Sequence, residues 1–301
     1  MNELLLKLSP VFLFFGLGVF LKKIRFANAD HADFLLRLVF FVTLPALVLL
    51  QLSRMSITWD KIYLPFINII INLCCMGVTL IFFKVMQAPQ KTKGAILVST
   101  MIANNVFMFP FIMAGFGNSG FADAVLFDFG NGLTTATITY LMAFKYGEQS
   151  TDATAMMVKL IRSPLFWAFV IAIFLSLFSI TLPVFLGPFL EGVGQMTSPL
   201  ILMALGIYFR PQFSDLKLVS ATVFIRSGIG LAVGTALATV LNLSGQTFAV
   251  VILCSAAPVG FMALTFSSIA QLDKAFASRV VSISILLGLI YIPVLILLLG
   301  D

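Results

Sequence analysis

Two stretches of this sequence carry groups that could grip an anion. The first, Met101 to Pro110, reads Met-Ile-Ala-Asn-Asn-Val-Phe-Met-Phe-Pro, and the second, Cys254 to Met262, reads Cys-Ser-Ala-Ala-Pro-Val-Gly-Phe-Met. Proline lacks a backbone donor and its ring collides with the carbonyl four residues earlier, so Pro110 and Pro258 should each break a helix near its middle. A broken helix exposes amide dipoles at its new ends, and Asn104 and Asn105 add side-chain donors and acceptors at the same place. Ser255, Val259, Gly260, Phe109 and Pro110 flank the two breaks and join them as candidate substrate contacts. The plain alternative is that the prolines only kink two helices while the asparagines bond to neighbouring helices. The occurrence of two such segments favours a site.

Two charges lie in similarly apolar surroundings. Asp128, in Phe127-Asp-Phe-Gly-Asn131, is costly inside a membrane and is a candidate proton carrier; Asn131, one helical turn away, is a further candidate substrate contact. Arg226 could present a bidentate fork to a carboxylate substrate, or could pair with Asp128 and tie two helices together. Arg37 and Glu191 read as scaffold or interface charges. Gln51, Gln195 and Ser198 could face a cavity or act as interhelical glue. Phe107, Met108 and Met262 could line an apolar part of a pocket, and His31, beside Asp30 and Asp33, reads as an ordinary surface histidine.

The elements that must position these residues are set by composition. Of 301 residues, 60% are hydrophobic and 10% charged, which excludes a soluble globular domain and points to a lipid bilayer. At about 20 residues per crossing, the chain has room for about ten spans and no soluble domain. Breaks in the apolar pattern place them at roughly 8–22, 34–53, 62–85, 93–115, 121–145, 162–181, 184–209, 217–241, 246–270 and 278–299. Lys and Arg gather in the connections after odd-numbered spans: Lys22, Lys23 and Arg25; Lys84, Lys91 and Lys93; Lys145, Lys159 and Arg162; Arg210 and Lys217; Lys274 and Arg279. The opposite side holds Lys7, Arg54 and Lys61. By the positive-inside rule both termini lie outside the cytoplasm, with the protein in the cell (inner) membrane. The first apolar run reads as a retained span, not a signal peptide.

Five spans per half is an odd number, so a duplicated half enters the membrane from the opposite side. A shift of 154 residues places Thr43-Leu44-Pro45 on Thr197-Ser198-Pro199, and Ala103 to Met108 on Ala257 to Met262. The same shift pairs Arg37 with Glu191 and Asn72 with Arg226. The expected fold is therefore an all-α polytopic membrane protein of ten transmembrane helices, built as two inverted five-helix repeats, 1–150 and 151–301, with broken, crossing helices four and nine.

The asparagine-then-proline fourth span, Ala257-Pro258-Val259-Gly260 in the ninth and Asp128-x-x-Asn131 in the fifth resemble the auxin efflux carrier family over nearly the whole chain. That family includes plant auxin exporters and bacterial carriers thought to move dicarboxylates such as malate and malonate. The resemblance implies a scaffold of spans 1, 2, 6 and 7 and a transport domain of spans 3–5 and 8–10. It also implies a substrate held beside crossing helices four and nine and moved by an elevator-like displacement. Because the gap from asparagine to proline varies in the family, either Asn104 or Asn105 could contact the substrate. The short link between spans five and six lacks the long hydrophilic loop of many plant members, which argues away from auxin itself.

The expected function is a secondary or potential-driven carrier of small organic anions, mono- or dicarboxylates, with a proton as one candidate coupling ion. The nearest rival is a sodium-coupled symporter of the bile-acid type. That family places an acidic residue near its ninth-span crossing, whereas 251–270 here has no Asp or Glu. A channel would show a charged ring or filter repeat and a receptor a sizeable loop or output domain. No enzyme is expected, because no nucleophile, base or metal motif can be assembled. Cys74, Cys75 and Cys254 sit in apolar runs without metal or disulfide spacing, so neither cofactor nor metal is expected. The expected partners are the anion and the lipid bilayer, with no nucleic acid; a homodimer is one open arrangement.

Overall fold

In hydrocarbon every backbone N–H and C=O must be satisfied within the protein, so apolar runs of this length fold as helices. The computed structural model describes residues 2–55, 59–147, 158, 161–209 and 214–299. Lys159, Arg210, most of the link between the fifth and sixth expected spans and the chain's extreme ends lie outside them. Among the described residues the regular elements are helices, and one isolated antiparallel bridge joins Ala103 to Val259. Among the described residues five helices are long and apolar enough to cross a membrane: Ala29–Ser53, Lys61–Phe82, Leu186–Tyr208, Leu216–Val240 and Lys274–Leu299. Pro164–Leu177 and Gly245–Ser255 are shorter apolar helices.

The chain packs as two compact units. The first gathers Met1–Trp59, Phe109–Val125 and Lys159–Phe209. In it, Asn2–Lys23 packs on Thr197–Tyr208, and Leu44–Ser53 packs on Pro164–Leu177 and Leu186–Gln195. Asn28 caps Ala29–Leu38 by accepting from the His31 N–H, and His31 Nδ1 accepts in return from the Asn28 N–H. His31 is thus an exposed half of a capping box, a role beyond that of a plain surface residue.

Gly117 reverses the chain within this unit. The helical stretch Asn105–Thr134 departs from helical geometry at Gly117, with φ 64° and ψ −159°. In an unbroken helix the Cα atoms of Phe109 and Phe121 would be about 18 Å apart. Their rings instead meet edge-on with centroids 5.1 Å apart. The loop expected near Asn118 therefore shrinks to one residue, in a region of backbone space that is essentially glycine's alone.

The second unit gathers Asp60–Met108, Leu126–Val158 and Arg210–Asp301. Here the fourth and ninth expected spans are interrupted: Gln90–Met101 stops and helix resumes at Asn105, and Gly245–Ser255 stops and helix resumes at Met262. The second break contains Pro258, as its chemistry requires. The first corrects the expectation for Pro110, which lies inside the resumed helix, six residues beyond Asn104. Pro110 offers no N–H to the Val106 carbonyl four residues back, yet the helix runs on through it, so it removes one helical hydrogen bond without ending the helix. Wide π-helical turns interrupt three further helices, at Val39–Thr43, Thr135–Thr139 and Phe224–Ile229.

Candidate functional site: the crossing at Asn104 and Pro258

Helix Gln90–Met101 ends because Ile102 turns extended, φ −104° and ψ 110°. Asn104 then starts the next helix, its Oδ1 accepting from the Phe107 N–H at 3.2 Å, which is what an asparagine at a helix start does. Between these points the chain runs antiparallel to the other break. The Asn104 N–H donates to the Pro258 carbonyl at 2.8 Å, and the Gly260 N–H to the Ile102 carbonyl at 2.9 Å.

The remaining peptide groups are met by side chains. Asn131 uses its whole amide on Ala103, accepting from the N–H and donating to the C=O, both at 3.2 Å. Ser284 Oγ accepts from the Val259 N–H at 3.1 Å. Tyr291 donates to the Ala256 carbonyl at 2.6 Å and Ser227 to that of Ala257 at 3.2 Å. Broken backbone at membrane depth thus survives by being paired inside the protein. The peptide groups around Ser255, Pro258, Val259 and Gly260, which sequence reasoning offers to a ligand, are largely engaged with the protein itself.

What the crossing leaves over is side chain. The Asn104 Nδ2 and the Asn105 Oδ1 are buried and meet no hydrogen-bond partner among the described residues, in residues 5% and 1% exposed. Asn105 Nδ2 donates to Asp128 Oδ1 at 2.8 Å, and Asn131 Nδ2 reaches the same oxygen at 2.9 Å. Asp128 Oδ1 thus accepts from two amides, those of Asn105 and Asn131.

Arg226 is fully buried within the π-helical turn Phe224–Ile229. Its Nη1 donates to Asn72 Oδ1 at 2.8 Å and approaches the Thr100 carbonyl at 3.5 Å, while Nη2 donates to the Ser255 carbonyl at 3.3 Å. Among the described residues Arg226 and Asp128 keep separate partners, so the arginine grips helix ends where a pairing with Asp128 was one expectation. Asn72 links the two centres, donating to Asn68 at 2.9 Å, to Thr134 at 2.7 Å and to Asn131 at 3.4 Å.

The chain matches the model of a family described as membrane transport protein over residues 4–296. It belongs to this membrane transport family, of the auxin efflux carrier type. It is similar to an uncharacterized transporter of Methanocaldococcus jannaschii, 23% identical over 275 residues, covering 87% of this chain and 88% of that one. It is equally similar to an uncharacterized transporter of Methanothermobacter thermautotrophicus, 23% identical over 284 residues and 92% of each chain. With its apolar helices, the family places the protein in a membrane as a multi-pass transporter.

Not every candidate of this transporter converges on the crossing. Phe109 and Pro110 pack with the first unit, where Phe109 meets Phe121. Ser198, in the same unit, donates to the Met113 sulfur at 3.6 Å, the interhelical glue that was its other reading. Arg37, Glu191 and Gln195 are exposed, whereas Gln51 is buried. In the second unit Phe107 and Met108 are buried and Met262 is exposed. Asn68, Thr134, Ser227, Ser284 and Tyr291 escaped the sequence reading. Asn68 and Asn72 carried a usable signal, since two asparagines four apart share one helix face in an otherwise apolar span.

Proposed function

We propose that this transporter carries small organic anions, mono- or dicarboxylates, by alternating access, with the crossing moved in an elevator-like step. The observation that carries the reading is the buried Asn104 Nδ2, which meets no partner among the described residues and sits at the positive, amino end of a helix. A carboxylate entering there would accept from the Asn104 Nδ2 and benefit from the helix's positive end. Asp128 competes for the neighbouring Asn105 amide. Its protonation would remove a like charge and release that donor, which couples substrate to proton uptake.

We read the chain as ten spans in two inverted five-helix repeats, in the cell (inner) membrane, with both termini outside the cytoplasm. Support comes from contacts between positions 154 apart, the offset at which the halves align. Asn72 meets Arg226, and Asn104 meets Pro258. Residues meet their own repeat mates only near a two-fold axis between repeats, and two such meetings fit an axis through the crossing. The grouping of residues 60–108, 126–158 and 210–301 into one unit supports a transport domain distinct from a scaffold.

The test is a thermal-shift screen of carboxylates on detergent-purified protein, followed by uptake in proteoliposomes. A bound anion raises the midpoint by mass action. Asn104→Ala or Asn105→Ala is expected to abolish that shift and the uptake, from a ligand-free midpoint lowered by the lost cap on Phe107 or the lost bond to Asp128. Normal binding and transport by both variants would remove the crossing as the site.

A further inference from the structure

We propose that Arg226 is the resident cation of the crossing, its guanidinium filling the place between two helix carboxyl ends where a metal ion would otherwise supply the counter-charge, so that the protein needs no sodium or potassium there. The inference goes beyond the anion-carrier reading, because it concerns what balances the crossing itself and not what the crossing transports.

The geometry supports this in three ways. Helices Gln90–Met101 and Gly245–Ser255 both direct carboxyl ends at the guanidinium, through Thr100 and Ser255. Each helix end carries about half a negative charge, so the two together match one positive charge. At 3.5 and 3.3 Å these contacts are long, and charge contributes more to them than ideal hydrogen-bond geometry does.

Second, the place is built for an arginine. A β-carbon on Gly230 would collide with the Ser255 carbonyl oxygen and lie 2.9 Å from Arg226 Nη2, so glycine there lets helix end and guanidinium meet. The carbonyls that follow, Ala256 and Ala257, are taken by Tyr291 and Ser227, which leaves the helix ends to the arginine. Third, a fully buried guanidinium without compensating partners would be very costly. Here the partners are Asn72 and two carbonyl groups, the oxygen ligands that a hard monovalent cation would also take.

The experiment follows thermal unfolding of the full-length protein in sodium, potassium, choline and methylguanidinium chlorides at equal ionic strength. Wild type is expected to unfold at one midpoint in the sodium, potassium and choline salts; a midpoint that depends on sodium or potassium overturns the proposal. Arg226→Ala is expected to unfold earlier and to recover in sodium or methylguanidinium relative to choline, by about 5 °C when the cation reaches about a hundred times its Kd. A folded Arg226→Ala protein indifferent to every cation overturns it too. Should that variant not fold, Arg226→Lys decides: it keeps the charge and should unfold at a cation-independent midpoint, whereas a lysine variant that acquires a sodium requirement defeats the proposal. None of these readouts uses the substrate, so the anion-carrier reading can fail while this one stands.

Discussion

Asn131→Ala tests whether one side chain holds the fourth-span break open. Asn131 is 8% exposed and meets both peptide groups of the buried Ala103, while its Nδ2 also reaches Asp128 and its Oδ1 accepts from Asn72. Removing it orphans one buried N–H and one buried C=O, at about 1–3 kcal/mol each, and breaks a bond to a carboxylate of similar value. A water entering the space left by the amide would recover part of this. The net loss is then about 3 kcal/mol, a fall of about 6–10 °C in the unfolding midpoint. Cys75 and Cys254 are buried and outside any disulfide, so a thiol-reactive fluorophore reports the transition as labelling added to that of half-buried Cys74. Asn131→Asp keeps an acceptor for the Ala103 N–H but sets a second carboxylate against Asp128, and its loss should shrink as the pH is lowered. An Asn131→Ala protein unfolding within about 1 °C of wild type would refute the reasoning, because the break would then be held by Asn104, Gly260 and their partners alone.

Three further outcomes follow from the same geometry. Gly117→Ala places a side chain on glycine-only backbone with open space around the new methyl, so the cost is conformational, about 1–3 kcal/mol in thermal or denaturant unfolding. Gly230→Ala should cost about as much by overpacking and be strongly non-additive with Arg226→Ala in a double-mutant cycle, since both disturb one contact; simple additivity would separate them. Asp128→Asn should leave carboxylate binding independent of pH, where wild type binds more tightly as acid neutralises Asp128; an unchanged pH profile in the variant would show that another group carries the proton.

Sequence reasoning reached the crossing for reasons that can be traced residue by residue. Pro258 falls where its break is, just past the end of Gly245–Ser255, although Pro65 and Pro293 sit inside unbroken apolar helices, so proline alone is a weak signal. Pro110 misleads, because a proline tolerated near a helix start looks the same in sequence as one that ends a helix. The true signal at the first break is Asn104, a helix-starting residue buried in an apolar run, and the Asn-Asn pair hides which of the two does the capping. The one-residue reversal at Gly117 was illegible, since neighbouring glycines at 115 and 120 are equally eligible on composition. So were Ser284, Ser227 and Tyr291. Each is an unremarkable polar residue in an apolar helix, and only tertiary packing shows which carbonyl or amide it meets. Arg226 stood out by its cost, but its partners are backbone groups, and backbone groups have no signature in sequence.

The two charges of the second unit occupy complementary ends of the broken helices. Arg226 lies where two helices end and their carbonyls concentrate negative potential, while Asp128 is bound to Asn105, where a helix begins and its amides concentrate positive potential. Exchanging the two would place each charge against a helix end of its own sign, a difference that low dielectric magnifies. On the anion-carrier reading proposed above, a carboxylate substrate would approach from the Asp128 side. There the field favours an anion once Asp128 is neutral, and the Asn104 amide lies unused. At the Arg226 side both Nη atoms are already occupied by Asn72 and two carbonyls, and only Nε is left without a partner among the described residues, so a substrate gripping the fork would have to displace acceptors that are part of the fold. An Arg226→Lys protein with its carboxylate affinity intact but its midpoint lowered would fit this division of labour, whereas a variant that keeps its stability and loses only affinity would assign the guanidinium to the substrate.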